Sequence, residues 1–458
     1  MEPVGLFTIA SKNYLAYVRV LLNSVAQLHP EYKLYLCLAD RIEGFFDPAY
    51  EIFSVIEAED LNIPKFRDFA LRYDIFEFNT ALKPFMFRWL FNHTDLDSVI
   101  YLDSDICAYS RFDHLETLLS SKTSVVLTPH ITKPVEDGKT PNDYHMLRAG
   151  IFNLGFVAAR RCAESMEFMD WWARRLLSQC ISDVQASLFV DQKWCDLAPC
   201  FLDSLQILRA DNYNVAYWNL SQRTVRRTLE GQWEVNGTPL TFFHFSGFNP
   251  ENDREISKHQ NRFAWEDVPE IHPLFQEYVS ELWDAGWGVS RYWPYAYGIL
   301  IDGTEVNRIV RLLYRELYPV PIELDHIDLH DFLTNICTQP VEIPGDKDLP
   351  PISRLMHIVY RLRPDVQVAF SLLSSQGRRQ FTEWFNEAAE REYGLPRCLT
   401  SRNRIYPLAR CAHSSSIGVR LVAVAYRIRT KLEATARRLS KFLPPLLRTY
   451  LKRHWIIG

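Results

Sequence analysis

No Cys-x-x-Cys pair occurs among the nine cysteines of this 458-residue chain. That removes the spacing used by zinc ribbons and thioredoxin-like redox centres. The cysteines are odd in number and scattered, the pattern of thiols kept in a reducing cytosol. No apolar run of about 18 residues occurs, so no membrane span is expected. Met1-Glu2-Pro3-Val4-Gly5-Leu6-Phe7-Thr8 carries no basic stretch ahead of its apolar residues, and no secretory signal is expected. An excess of positive charge is missing too. The 51 Lys and Arg against 56 Asp and Glu give a net charge of −5, which argues against nucleic acid as the main partner. The expectation is a cytoplasmic protein.

The length allows two or three domains with a large core. A hydrophobic content of 47% with 23% charged residues is that of a globular chain. Aromatics reach 14%, with 12 Trp, enough for surfaces that stack on sugars or bases as well as for packing.

Residues 4–10 read as a buried strand. A polar break follows at Ser11, Lys12, Asn13 and Tyr14, then a helix with Val18, Leu21, Leu22, Val25 and Leu28 on one face. Lys33 to Ala39 is a second strand, ended by Asp40. Such a β-α-β unit implies a parallel sheet, whose ligands sit beyond the carboxyl ends of the strands. Thr8, Ala10, Ser11, Asn13, Tyr14 and Asp40 therefore lie where a nucleotide would bind. No Gly-x-Gly-x-x-Gly occurs here, so a dinucleotide site is disfavoured. Ser54 to Ala58 is a third strand. Phe76 to Phe91 reads as one helix, with Lys83 inside its apolar face. That lysine either snorkels or reaches toward phosphates or carboxylates.

Val99-Ile100-Tyr101-Leu102 is a fourth buried strand, and it runs into Asp103-Ser104-Asp105. Two carboxylates just past a buried strand are costly without a counter-charge. Hard divalent cations take such oxygen ligands and bridge them to substrate phosphates. The plainer alternative is a pair of turn aspartates capping the next segment. Thr123 to Pro129 is another strand. Residues 130–148 are polar and turn-rich and read as a flexible loop over the site. Residues 151–159 read as a strand interrupted by Asn153 and Gly155. A helix follows around Met166 to Leu177, and then the polar pair Asp191-Gln192 in an aromatic setting. Trp233 to Val235 and Leu240 to Phe243 read as a hairpin across Asn236-Gly237, a type I′ turn signal. It leads into His244-Phe245-Ser246-Gly247, where a neutral imidazole would suit a first-row metal.

Taken in order, the strand-helix-strand start, Leu-Asp-Ser-Asp, Phe-Asn-Leu-Gly, Asp-Gln and His-Phe-Ser-Gly resemble a GT-A-fold glycosyltransferase, nearest to the retaining family 8 enzymes. The resemblance covers residues 4–250. It implies an α/β fold with a Rossmann-like mixed sheet flanked by helices. It also implies Mn²⁺ (or Mg²⁺) on Asp103, Asp105 and His244, a UDP-sugar donor, and a glycan or lipid-linked acceptor. Thr8, Ala10 and Asn13 match the uridine-contacting first loop. Asn153 and Gly155 match the segment near the donor sugar, and Gly247 the glycine after the histidine. Asp191 and Gln192 match the pair facing the anomeric carbon and are the catalytic candidates. The family's Lys-Pro-Trp is replaced by Phe248-Asn249-Pro250. Its diphosphate lysine is thus unassigned, with Lys83, Arg254 and Lys258 as substitutes. Val190 to Pro199 and Asn214 to Leu220 look like a bacterial surface-polysaccharide subgroup. A non-catalytic glycan- or partner-binding module and a nucleotidyltransferase are the competing readings. The second would want a Gly-rich phosphate loop that Ala10 to Tyr14 lacks.

The expected organisation is a catalytic domain at 1–250, a helical extension at 251–337 with aromatic Tyr292 to Gly298 on a possible acceptor side, a proline-rich linker at 338–352, and a helical region at 353–458. From about 402 the tail is strongly basic, with Leu421, Ala425, Ile428, Leu432, Leu439 and Leu443 at helical spacing. That pattern suits peripheral contact with an anionic membrane or packing on protein.

Overall fold

The first strand, β1 (Val4–Ala10), is followed by α1 (Leu15–Leu28), β2 (Lys33–Leu38) and β3 (Ser54–Glu57). The structure is a computed structural model that describes residues 3–252, 254–299, 305–324, 332, 336–343, 349–395 and 399. Next come α2 (Phe66–Arg72), α3 (Ile75–Ala81), α4 (Lys83–His93), β4 (Ser98–Leu102), β5 (Ile106–Ala108), α5 (Asp113–Leu119), β6 (Val125–Pro129), α6 (Asp143–Ala149), β7 (Phe152–Arg160) and α7 (Ala163–Leu176). The short strands β8 (Ser182–Asp183) and β9 (Leu188–Phe189) pair with each other. Then follow β10 (Leu205–Ile207), β11 (Val225–Arg227), β12 (Trp233–Val235), β13 (Thr238–Pro239) and β14 (Phe242–His244).

The main sheet has seven strands in the order β10-β6-β7-β4-β1-β2-β3. Pairing is parallel except where β7 runs against β4 and β6. The α/β class and mixed sheet read from the sequence are therefore observed. Both faces of the sheet are covered, which is why its inner strands are almost continuously apolar. Phe7, Tyr35, Cys37 and Tyr101 point into a core shared with α2, α3, α4 and α7. Their neighbours Leu6, Leu34, Leu36 and Ile100 point into a second core shared with α1 and α5. The chain runs from β1 outward through β2 and β3, then crosses back to β4 on the other side of β1. The strand order reverses between β1 and β4, and that is where an open α/β sheet leaves a crevice for ligands.

Four expectations change. Phe76 to Phe91 is two helices, α3 and α4, that part at Leu82. Pro84 lies in the first turn of α4, where its missing N–H costs nothing, but it cannot continue α3. The Asn236-Gly237 turn forms, with φ of 50° and 81°, yet it joins β12 to β13. The run ending in His244 leaves the hairpin and pairs antiparallel with β5. Residues 130–148 hold most of α6 in place of a continuous loop, and Arg262 grips Asp137 and donates to the Pro141 carbonyl at 2.6 Å. β7 runs unbroken through Asn153 and Gly155.

Beyond β14, helices 272–284 and 287–290 pack on α1. Trp293, Tyr295 and Tyr297 of the aromatic segment are turned into the two main cores, while Tyr292 is exposed. Helix 308–317 docks on α2 through Arg311, a buried guanidinium that donates to the carbonyls of Ala70, Leu71 and Tyr73. It shares one core with helices 354–362 and 375–393, through Val310, Leu313, Leu355, Val359 and Phe381. Within 338–352, the Val341 N–H reaches the Ile352 carbonyl at 2.8 Å. No described helix is long and apolar enough to cross a membrane. The basic tail from about 402 lies outside the described residues.

Candidate functional site

Asp103 and Asp105 leave the carboxyl end of β4 in a tight turn. The Asp103 N–H bonds to the Gly155 carbonyl at 2.8 Å, and the Ile106 N–H returns to the Asp103 carbonyl at 3.1 Å. Pairing of β14 with β5 sets His244 opposite Ile106. The imidazole Nε2 then lies 3.0 Å from Asp105 Oδ1 and 3.7 Å from Asp103 Oδ2. All three offer a ligand atom within 4.8 Å of the others. The imidazole is buried, while the two carboxylate side chains are 32% and 27% exposed, so the cluster opens on one side only. Burial opposes charge on His244, but Asp105 and then Asp103 outweigh it and its pKa is raised. Burial likewise pushes Asp105 up, and His244 more than offsets this, leaving it lowered. Two hard carboxylates and one imidazole suit Mn²⁺ or Mg²⁺. The donor set fits the metal that the motifs implied.

Gly155 faces this imidazole. A Cβ there would sit 2.4 Å from His244 Cε1 and 2.8 Å from Nδ1. The close approach expected of a strand glycine is to the histidine ring.

Lys83 is buried at the start of α4. Its ammonium is 2.8 Å from Asp191 Oδ2, 3.9 Å from Asp103 Oδ1 and 2.9 Å from the Leu154 carbonyl, and it lies 4.8 Å from the Tyr101 ring centre. Burial lowers its pKa, and Asp191 and Asp103 reverse the sign, so it is raised. Asp191 is 1% exposed. Burial raises its pKa, Lys83 draws it back and Asp103 adds to the rise, so it ends raised. Val190, just before it, has φ of 40°, a strained value for a β-branched residue. Gln192 turns its amide to the backbone: Oε1 accepts from the Leu154 N–H at 3.1 Å, and Nε2 donates to the Ala149 carbonyl at 3.0 Å. The side chain thereby ties α6 and β7 to the Asp191 turn.

At the end of β1, Thr8, Ala10 and Ser11 are buried, and the Ser11 hydroxyl donates to Asn13 Oδ1 at 2.6 Å. Tyr14 is 45% exposed and stacks on Tyr17 with 4.8 Å between ring centres. Burial, then the field of Asp105, raises the Tyr14 pKa, so this ring stands near the carboxylate cluster. Asp40 differs from its neighbours. It is wholly buried, and it accepts from Lys12 Nζ at 3.1 Å and from the N–H groups of Arg41 and Ala296 at 2.9 Å each. Its bonds hold the 293–297 segment to the sheet. Gly247 has φ of 71°, and a Cβ there would meet His259 and Ser257. Lys258 and Arg254 are exposed.

Several residues beside the cluster were not singled out from the sequence. Tyr101 donates its hydroxyl to Asp103. Asn214, with φ of 54°, touches His244, Asn153 and Thr128. Trp218 sets its ring edge-on to His244 at 5.2 Å. His259 feels Asp105 after the larger effects of burial and Lys258. Asn214 and Trp218 fall in the 214–220 stretch that the resemblance had marked, without a role in the site. A second acidic group, His29 with Glu31 and Glu116, has no open ligand atom on its ring. His29 Nε2 accepts from the Phe112 N–H at 2.9 Å, and Nδ1 faces Glu31 at 3.0 Å.

None of the known protein-family profiles matches the chain. Among curated proteins it is similar to two from Bacillus subtilis (strain 168), both described as uncharacterized. YfnD is 23% identical over 292 residues, covering 62% of this chain and 89% of its own. YfnF is 24% identical over 297 residues, covering 60% and 91%. Among solved structures it is similar to the galactosyltransferase LgtC in complex with donor and acceptor sugar analogues, at 16% identity and a TM-score of 0.36, covering 60% of this chain and 95% of LgtC. It is also similar to the glycosyltransferase GlyE of Streptococcus pneumoniae TIGR4, at 14% identity and a TM-score of 0.34, covering 66% and 67%. Mouse xyloside xylosyltransferase 1 is similar at 12% identity and a TM-score of 0.33, covering 53% and 97%. At such TM-scores these likenesses carry no functional argument, and the geometry of the site must.

Proposed function

We propose that this chain is a metal-dependent glycosyltransferase that moves a hexose from a UDP-sugar to a glycan or lipid-linked acceptor with retention of anomeric configuration, in bacterial surface-polysaccharide assembly. One observation carries the reading. Asp103 and Asp105 meet His244, distant from them in sequence, at the crevice where the strand order reverses, next to the buried Lys83–Asp191 pair. Mn²⁺ or Mg²⁺ held there would supply Lewis-acid neutralisation of the departing diphosphate.

The chain's own residues take the remaining roles. Tyr14, backed by Tyr17, offers a ring face to the base, with Thr8, Ala10, Ser11 and Asn13 beside it. Asn153, Gly155 and Gly247 border the donor. Lys83 opposes the effect of burial on Asp191, drawing its raised pKa back down. An Asp191 engaged in that way orients a sugar hydroxyl better than it attacks a carbon. Gln192 holds the wall behind it through its two backbone bonds. Same-face attack, in which the leaving diphosphate takes the acceptor proton, asks for no protein base and is the preferred route to retention. The basic tail belongs to this proposal as a contact with anionic lipid.

The test is calorimetric titration with UDP, with and without Mn²⁺, on the wild type and on His244→Ala. Binding that needs both the metal and His244 is the expected result. A wild type that binds no UDP would sink the reading and favour a non-catalytic binding module.

A further inference from the structure

We infer that Asn214 is a positioning residue for His244: it holds the imidazole with its proton on Nδ1, so that the Nε2 lone pair faces Asp103 and Asp105. The inference rests on the proposed metal site. Its starting point is a donor that cannot reverse. The Gly155 N–H donates to Asn153 Oδ1 at 3.1 Å, which fixes the orientation of that amide. Asn214 has an atom 2.9 Å from the same oxygen. An oxygen facing an oxygen there would repel, so that atom is Nδ2. It also lies 3.0 Å from the Thr128 hydroxyl.

The carbonyl half of the Asn214 amide is then turned to His244 Nδ1, at 3.3 Å. An amide oxygen can only accept, so Nδ1 must carry the proton. What remains is Nε2, on the side of Asp105 and Asp103. A backbone N–H thereby fixes the protonation pattern of a side chain through two amides. Metal-bound histidines as a class depend on such outer partners for ring orientation and tautomer.

Burial makes the chain decisive. Asn214 is 1% exposed, Asn153 8% and His244 2%, so water cannot stand in for a lost partner. The Asn214 loop is held in turn by Asn219, which donates to the carbonyls of Asn214 at 3.0 Å and His130 at 3.3 Å and accepts from the Ala216 N–H at 3.0 Å. The φ of 54° at Asn214 is one that Asn, Asp and Gly adopt readily. Substitution by either of the other two changes the side chain without forcing the backbone.

The experiment titrates Mn²⁺ alone into the wild type, Asn214→Asp and Asn214→Gly, reading free Mn²⁺ by electron paramagnetic resonance, with a thermal melt of each to show that it is folded. Asn214→Gly removes the acceptor and should weaken Mn²⁺ binding by about 10–100-fold. Asn214→Asp keeps an acceptor for the Nδ1 proton but sets its other oxygen against Asn153 Oδ1, so it should bind less tightly than wild type and several-fold more tightly than Asn214→Gly. A folded Gly variant that binds like wild type overturns the inference. So does an Asp variant as weak as the Gly variant, because the amide would then matter only as packing. A wild type that binds no Mn²⁺ at all defeats the metal reading itself, a different result from either.

Discussion

Replacing Lys83 by methionine keeps the length and the apolar stem but deletes the ammonium. In the wild type that group faces Asp191 at 2.8 Å, and both side chains are almost fully buried, at 3% and 2%. Removing one member of such a pair leaves an uncompensated charge and costs about 3–5 kcal/mol. The Leu154 carbonyl loses its Lys83 bond as well. The loss is expected to depend on pH. Burial already raises the Asp191 pKa despite Lys83, and without the lysine it rises further. The folded state then binds a proton more tightly than the unfolded state, so stability falls as pH rises from the unfolded carboxylate range up through the raised Asp191 value. The deficit of Lys83→Met should therefore be largest near neutrality and shrink in mild acid. Asp191→Asn removes the stranded charge, so the double variant should recover much of the loss. Urea unfolding of wild type, both single variants and the double variant at two pH values closes the cycle. A cost below about 1 kcal/mol for Lys83→Met, or simple additivity in the double variant, would refute the argument.

Three further outcomes are expected. Gly155→Ala drives a methyl into the His244 ring and should cost about 1–3 kcal/mol, with Mn²⁺ binding weakened more than the melting temperature suggests; an unaffected titration would clear the glycine. Mn²⁺ affinity should fall as pH drops through the raised pKa of His244, because the bound ring must give up one proton; calorimetry in buffers of different ionisation enthalpy counts it. Gln192→Ala strands the Leu154 N–H and the Ala149 carbonyl, at about 1–3 kcal/mol, and in the proposed reaction should lower turnover more than donor affinity; steady-state kinetics reporting equal kcat would reassign the residue.

The parts legible in the sequence were those with local causes. β1, α1, β2, β4 and α7 follow from runs of apolar residues at strand or helix spacing, and the Asp103–Asp105 pair stood out because it ended such a run. The partner of β14 did not. Asn236-Gly237 encodes its turn, but the apolar residues after it find more burial against β5 than a short hairpin offers. Asp40 had the position of a ligand contact at a strand end. Lys12, coming just after β1, pairs with it at 3.1 Å, and no spacing rule links the two. That Lys83 could reach a carboxylate was legible, but its pairing with Asp191 and the Asn153–Asn214 amides were not, since those contacts exist only once β7, α4 and the 214–219 loop have met.

The pairing of β14 with β5 sets an order of events in the growing chain. Synthesis as far as Ile207 delivers every strand of the seven-stranded sheet, whereas His244 has still to be made. At about 5–20 residues per second, the last strand of the sheet leaves the ribosome some seconds ahead of His244, so the two aspartates are outside before the imidazole that joins them. The Asp103–Asp105–His244 cluster is thus a late arrival, closed by a strand outside the seven-stranded sheet.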